Sequence, residues 1–124
     1  MPVSFLVDEN ARGPLWKAIL ARNRGPEPID AVRVGDPPGT PIIPLGSPDA
    51  FVLAQANFQG RILVSFDRDT LPNELNVHLR LVGSSPGVFL IRPGFGVVDV
   101  VEHLWIVAAL TTPDEWRDRC HYIP

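Results

Sequence analysis

The sequence is poor in lysine and cysteine and contains no long hydrophobic run. Lys17 is the only lysine, so the other ten basic residues are arginines. Cys120 is the only cysteine, which excludes an intramolecular disulfide and fits a reducing compartment. No apolar run reaches the roughly 18 residues of a membrane helix, and the start, MPVSFLVDEN, lacks the pattern of a secretory leader. We therefore expect a cytoplasmic protein without a membrane segment.

Length and composition are those of one small domain. The 124 residues are 45% hydrophobic, which allows a core of ordinary size, and we expect a single domain over residues 1–124. The net charge of −3 does not by itself favour binding to a polyanion. Without the five acids assigned to a site below, however, nine acids face eleven bases. The remaining surface is slightly basic and rich in arginine, which suits bidentate contact with phosphate.

Alternating strand and helix patterns predict an α/β fold. Short apolar runs predict strands at residues 3–7, 29–34, 62–64 and 88–91. Helical spacing and end signals predict helices at residues 11–23, 47–60, 73–81 and 97–110. A capping box from Thr112 to Glu115 predicts a short last helix that holds Trp116 and leads to a tail at residues 120–124. This order favours a three-layer α/β/α fold whose parallel sheet has about four strands in the order 2-1-3-4.

Helix caps and one long loop are also predicted. Asn10 and Ser47 suit the caps of the first two helices, each followed by a proline in the first turn. Residues 35–48 contain five prolines and therefore form neither a helix nor a central strand. A loop of this length often lies over a binding site, and a surface excursion without a role is the equal alternative.

Residues 97–110 are apolar almost all the way round the predicted helix. A helix of this kind is buried on more than one side. In so small a domain it packs across the sheet edge or forms a subunit interface. We expect a homodimer through residues 97–110.

Acidic residues follow the first and third predicted strands. Asp8 and Glu9 end the first strand, and Asp67 and Asp69 follow the third. In the order 2-1-3-4 these strands are neighbours, and their carboxyl ends meet where the winding changes direction, which is where open α/β sheets bind ligands. Asp49 begins the helix that leads to the third strand and reaches the same rim. Five close carboxylates repel one another unless cations neutralise them, so they predict a site for Mg²⁺ or Mn²⁺.

Three of these acids have a clear structural alternative. Asp49 suits the positive end of a helix dipole, Asp69 can cap the following turn, and Glu9 can face the opposite way. Asn10 is as suitable for a hydrogen-bond donor behind the acids as for a helix cap. Ser65 and Thr70 flank the acids and are candidates to position a water or a phosphate.

The segments DEN, GSPDAFVLAQA and GRILVSFDRDT, in this order, resemble the PIN-like family of the PIN-domain nuclease superfamily. The family consists of small prokaryotic proteins, many of them predicted toxin components of toxin-antitoxin pairs, and the resemblance covers roughly residues 3–92. It implies a metal-dependent ribonuclease with an RNA substrate and an antitoxin partner.

The resemblance also implies roles for individual residues. The family's acidic positions match Asp8, Asp49, Asp67 and Asp69, and Glu9 lies beside the first of them as a further metal ligand. Asp8 and Asp67 would hold the principal ion, and the other two aspartates would hold a second ion or orient the attacking water. For phosphate contact we nominate the nearby bases Arg12 and Arg68.

Other functions compete with this one. ILVSFDRDT also matches the nucleophile motif of haloacid-dehalogenase-like phosphatases, with Asp67 attacking and Asp69 as acid and base, but no lysine follows it. A phospho-receiver domain needs a lysine near its last strand, and the only lysine is Lys17. A PIN-like module that binds a partner without catalysis is the third alternative. His78, His103 and His121 lack zinc-site spacing, and we expect them to be surface or helix residues.

Overall fold

Residues 2–124 are described by a computed structural model. The helices are α1 (Pro14–Arg22), α2 (Asp49–Gln59), α3 (Leu71–Val82) and α4 (Val97–Leu110). The strands are β1 (Phe5–Val7), β2 (Ala31–Arg33), β3 (Ile62–Ser65), β4 (Val88–Ile91) and β5 (Cys120–Ile123). Two 3₁₀ turns lie at Glu9–Ala11 and Pro113–Glu115.

The five strands form one parallel sheet in the order β2-β1-β3-β4-β5. β1, β3 and β4 are buried along their whole length, which is why they read as continuous apolar runs rather than as alternating patterns. The predicted α/β class and the predicted order of the first four strands are confirmed. The central pairing sets Val7 beside Val64, so the residues that follow these strands meet at one edge of the sheet.

A hydrophobic core lies on each face of the sheet, because successive strand residues point to opposite faces. On one face Phe5, Val64 and Phe89 pack with Leu15 of α1 and Leu104 of α4. The opposite face carries a second cluster, which packs against α2 and α3 and consists of Leu6, Val34, Ile43, Val52, Leu53, Ala56, Leu63, Leu71, Leu75, Val88 and Leu90. The predicted three layers are therefore present.

The end of the chain differs from the prediction. The capping box between Thr112 and Glu115 is present, but it begins only a 3₁₀ turn, which ends at Trp116. The predicted last helix is thus wrong, and the residues expected to be a tail form β5 beside β4, with His121 opposite Phe89. Without β5, the N–H and C=O groups along the edge of β4 would have no backbone partner. Pairing with β5 provides their hydrogen bonds.

Two predicted helix caps are also wrong. α1 begins after Gly13 rather than at Asn10, because Asp8 starts a 3₁₀ turn there by accepting a hydrogen bond from the Glu9 amide. At α2 the cap position is Pro48, without a side-chain cap, and the Ser47 hydroxyl instead donates to the Pro44 carbonyl at 2.6 Å.

Helix α4 has the predicted bounds but buries one face rather than several. Val100, Val101, Leu104 and Val107 are buried against the sheet and α1. Other apolar residues of α4 face solvent, among them Val98 (69% exposed) and Leu110 (77% exposed). Within residues 2–124, no helix combines the length and hydropathy needed to cross a lipid bilayer.

Candidate acidic site

An open cleft of about 370 Å³ lies at the carboxyl ends of β1 and β3. It brings together the four carboxylates of Asp8, Glu9, Asp49 and Asp67. The remaining walls come from Asn10, Val34, Gly46, Ser47 and Val52. Parallel pairing of β1 with β3 explains this convergence, since Asp8 and Asp67 follow neighbouring strand ends.

Asp8 is the buried member of the group, with 8% of its surface exposed. Its Oδ2 accepts a hydrogen bond from the Ser65 hydroxyl at 2.8 Å, and its Oδ1 accepts one from the Glu9 amide at 2.8 Å. Burial raises the pKa of Asp8 despite these two bonds, and the charges of Asp49 and Asp67 raise it further. The ionised form of Asp8 is therefore disfavoured unless a cation joins it.

A polar network behind Asp8 holds this side chain in place. Ser65 is fully buried, and its hydroxyl donates to Asp8 while accepting a bond from the Asp67 amide at 3.0 Å. The Asn10 amide group donates to the Ser65 hydroxyl at 3.1 Å and accepts from the Phe66 amide at 3.1 Å. The sequence left two roles open for Asn10, a helix cap and a hydrogen-bond donor behind the acids, and the structure shows the second. Ser65, a polar residue directly after a buried apolar run, links Asn10 to Asp8.

Asp67 has the opposite electrostatic environment. Its Oδ2 accepts a short hydrogen bond from the Thr70 hydroxyl, and its Oδ1 accepts from the amides of Thr70 at 3.1 Å and Asp69 at 3.2 Å. These bonds, led by the Thr70 hydroxyl, lower the pKa of Asp67. The same hydroxyl lies 3.4 Å from Oδ2 of Asp49. Asp67 therefore stays ionised, while the pKa of Asp8 is raised. Neighbouring carboxyl groups whose pKa values are shifted in opposite directions are common at functional sites.

The other nominated residues lie further from the cleft. Asp69 is exposed and is not among the described residues that line it. Arg68 is exposed beside Asp67. Arg12 points towards Asp36, with 3.9 Å between Nη2 and the carboxylate. Its buried Nε has no hydrogen-bond partner within residues 2–124.

The proline-rich loop forms part of the cleft wall. The Gly46 amide donates to Oε1 of Glu9 at 2.6 Å, which fastens the loop beside the site. Further back, the Gly35 amide donates to the Ile43 carbonyl at 2.8 Å, and Ile43 is buried in the core of the α2 and α3 face. The loop is therefore anchored over the sheet edge and borders the site, rather than being an excursion away from it.

An ion pair closes the base of this loop and carries a pH-dependent prediction. Arg33 donates two hydrogen bonds to Asp36, at 2.8 and 3.0 Å, and they lower the pKa of Asp36 below its ordinary value of 3.8. A carboxyl with a lowered pKa in the folded state stabilises the protein above that ordinary value and loses this contribution as the pH falls through the folded-state pKa.

We expect Asp36→Asn to lower the free energy of unfolding by less than about 1 kcal/mol at about pH 6, because the ion pair is partly exposed. The difference should be smaller at about pH 2, because the wild-type carboxyl takes up a proton as the pH falls through its lowered folded-state pKa. Urea unfolding of both proteins at the two pH values measures it. Asp114→Asn, in the exposed pair with Arg117, is the matched control. If Asp36→Asn and wild type still differ by the same free energy of unfolding at low pH, the ion pair is not the source of the difference.

The donor chemistry of the cleft fits a hard divalent ion. Its carboxylates offer oxygen ligands only, which Mg²⁺ and Mn²⁺ prefer. Within residues 2–124 no three His, Cys, Asp or Glu side chains stand close enough together to coordinate one ion. Mg²⁺ needs only one or two protein carboxylates, since water and substrate phosphates complete its shell. The residues present therefore suit an ion held by two carboxylates.

Comparison of the chain with models of known protein families, with curated proteins and with solved structures gave no match. The fold and the cleft define the class directly: an α/β protein with a parallel sheet and an acidic cleft at the carboxyl ends of its central strands.

Proposed function

We propose that this chain is a PIN-like, metal-dependent ribonuclease that hydrolyses RNA phosphodiesters with Mg²⁺ or Mn²⁺. The observation that carries the proposal is the buried Asp8, whose pKa is raised by burial and by the charges of Asp49 and Asp67. A carboxylate in these surroundings is best stabilised by a bound cation. The strand order and the sequence motifs that resemble the PIN-like family support the same function.

Each side chain of the cleft has a role in this proposal. Asp8 and Asp67 would hold the principal ion. Asp49, together with the exposed Asp69 beside the cleft, would hold a second ion or orient the attacking water, and Glu9 keeps the loop against the cleft wall. The metal, when bound, would activate a water and stabilise charge on the phosphate oxygens.

The network around these acids acts through them. Ser65 and Asn10 keep the Asp8 carboxylate turned into the cleft. The Ser65 hydroxyl is bonded to Asp8 and to the Asn10 amide group, which is itself held by the Phe66 amide. Thr70 holds Asp67 and lies beside Asp49, which keeps these two side chains on the same side of the cleft. These three residues position the acids and do not contact the substrate.

The RNA strand would lie across the open cleft. Arg68 is exposed next to Asp67 and suits a phosphate contact. Arg12 is held near Asp36, so its contribution to phosphate binding is the weaker of the two. An RNA substrate, a cytoplasmic location and an antitoxin partner belong to the same proposal, through the resemblance to predicted toxin components.

A homodimer through residues 97–110 is part of the proposal. The support is the exposed apolar surface of α4, where Ile106 is 47% and Leu110 is 77% exposed, and of the neighbouring α1, where Leu20 is 46% exposed. Leu110→Glu is expected to give a monomer, because a charge buried in an apolar contact is costly. Light scattering after size exclusion measures the mass. A wild-type monomer would contradict the dimer.

The function is tested by incubating purified protein with mixed RNA and Mn²⁺. Wild type is expected to degrade the RNA, and Asp8→Asn and Asp67→Asn are expected to lose at least about 100-fold in rate, the effect of removing a key electrostatic group. Asp114→Asn, on an exposed turn outside the cleft, is the matched control and should cleave like wild type. Equal degradation by all four proteins would indicate contamination and count against the proposal.

A PIN-like binding module without catalysis is the second candidate. It is favoured by the internal hydrogen bonds of the cleft acids, since Glu9 fastens the loop and Asp67 caps its own turn. Titration with Mn²⁺ separates the two candidates. Saturable binding by wild type that Asp67→Asn removes favours the nuclease, and no saturable binding favours the inert module.

A further inference from the structure

His103 and His121 lie together although they are distant in sequence. His103 is on α4 and His121 is on β5, and their Nε2 atoms are 3.4 Å apart. The two ring centroids are 5.5 Å apart, and the ring planes differ by 18°. Because the nitrogen atoms are closer than the centroids, each Nε2 lies on the side of its ring that faces the other. The spacing of the histidines did not predict this pair, which forms only because β5 docks beside β4.

Aromatic side chains hold both imidazoles in position. The Phe89 ring packs against both of them, with its centroid 5.1 Å from that of His121 and 6.4 Å from that of His103. Trp116 packs against His121 at 4.9 Å. Burial lowers the pKa of both histidines, and the charge of His103 lowers that of His121 further. Both rings are therefore neutral at pH 7, which is the form that binds metal ions.

The separation of the two nitrogens suits a shared metal ion. A hydrogen bond from a ring N–H normally spans about 2.7 to 3.2 Å, so 3.4 Å is long for a direct bond. Two Zn–N bonds of about 2.0 to 2.1 Å at a tetrahedral angle place the nitrogens about 3.4 Å apart. Imidazole is also a ligand that suits Zn²⁺. Small rotations of the rings would direct both lone pairs at one ion.

We propose that His103 and His121 form a two-histidine site for Zn²⁺ that ties the edge strand β5 to helix α4. Within residues 2–124 no third His, Cys, Asp or Glu joins the pair, so water completes the coordination. Cys120 is the neighbour of His121 in sequence but packs on the α2 and α3 face, away from the site. Both histidines are partly exposed, which lets the ion enter from solvent. The site does not depend on the acidic cleft.

The test is a titration of the full chain with ZnCl₂, followed by calorimetry and by nitrogen NMR of the histidine rings. One equivalent is expected to bind and to shift the Nε2 signals of His103 and His121 together. The signal of His78 is expected to stay in place, because its Nε2 is held by the Ser84 carbonyl at 2.9 Å. Saturation that leaves the His103 and His121 signals unmoved would overturn the proposal.

Variants distinguish this site from the cleft. His103→Gln and His121→Gln should lose the saturable binding, and Asp67→Asn should retain it. Zn²⁺ is expected to raise the Tm of wild type and Asp67→Asn but not of His121→Gln, since only a folded chain with both imidazoles holds the ion. Circular dichroism checks that each variant is folded, and the NMR result on wild type needs no variant. If Zn²⁺ raises the Tm of His121→Gln but not that of Asp67→Asn, the ion binds in the cleft and the two-histidine site is refuted.

Discussion

Asp8→Asn is expected to stabilise the metal-free protein while removing RNA cleavage. The pKa of Asp8 is raised in the folded state by burial and by neighbouring carboxylates. A carboxyl with a raised pKa contributes stability at low pH, and this contribution is lost as the pH rises through the folded-state pKa. At neutral pH the charge of Asp8 is thus a cost, and an amide of the same shape removes it. We expect a gain of about 1 kcal/mol, at the low end of the cost of burying a polar group, because two hydrogen bonds already offset part of that cost.

Chemical denaturation at neutral pH without metal measures the gain in stability, and thermal denaturation with and without Mn²⁺ measures the effect of the ion. Mn²⁺ should raise the Tm of wild type, because an ion that binds only the folded state stabilises it. The same ion should leave the Tm of Asp8→Asn unchanged. Asp114→Asn is the matched control, since Asp114 lies on an exposed turn outside the cleft and pairs with Arg117. An Asp8→Asn protein less stable than wild type would mean that this residue serves the fold, as the cap of the Glu9–Ala11 turn, rather than the site.

Gly87→Ala is expected to lower the free energy of unfolding by about 3 kcal/mol or more, a large effect for the addition of one methyl group. Gly87 precedes β4 with a φ of +111°, which an L-alanine adopts only under strain. An added Cβ would also overlap the Trp116 carbonyl oxygen and lie 3.3 Å from that of Arg119. Both contacts are with backbone in the segment that leads into β5, so relief requires β5 to move away from β4.

Gly83→Ala separates the two causes. Gly83 has a φ of +96°, but a Cβ there meets no described heavy atom within 4 Å. Its substitution should cost only about 1 kcal/mol, from backbone strain alone. Urea unfolding followed by far-UV circular dichroism measures both variants. Equal losses would show that the approach of the Trp116 carbonyl adds nothing and that β5 is held less closely than the structure indicates.

The central part of the fold was readable from sequence because local and tertiary signals agree there. β4 and α4 were predicted with the bounds observed, since Gly87 and Gly96 mark their starts and their apolar residues pack where the pattern places them. The acids of the cleft were readable for a similar reason. Asp8 and Asp67 interrupt buried runs, and parallel strand ends share one edge.

Several local assignments failed because a distant partner competes with the local signal. Asn10 has the chemistry of a helix cap, but Ser65 and the Phe66 amide, which lie on the neighbouring strand and just beyond it, engage its side chain. Ser47 likewise donates to the proline-rich loop instead of capping α2. A short polar side chain satisfies either kind of partner, so composition alone does not decide between them.

By itself the sequence determined the α/β class, the order of the inner strands and the edge where carboxylates gather, because buried runs and their ends depend on local composition. Only the tertiary structure decided that Cys120–Ile123 forms a strand, since its half-polar pattern gains order from the edge of β4. It also decided that the pKa of Asp8 is raised while that of Asp67 is lowered. Burial and neighbouring charges act through space, and the chain must fold before either exists.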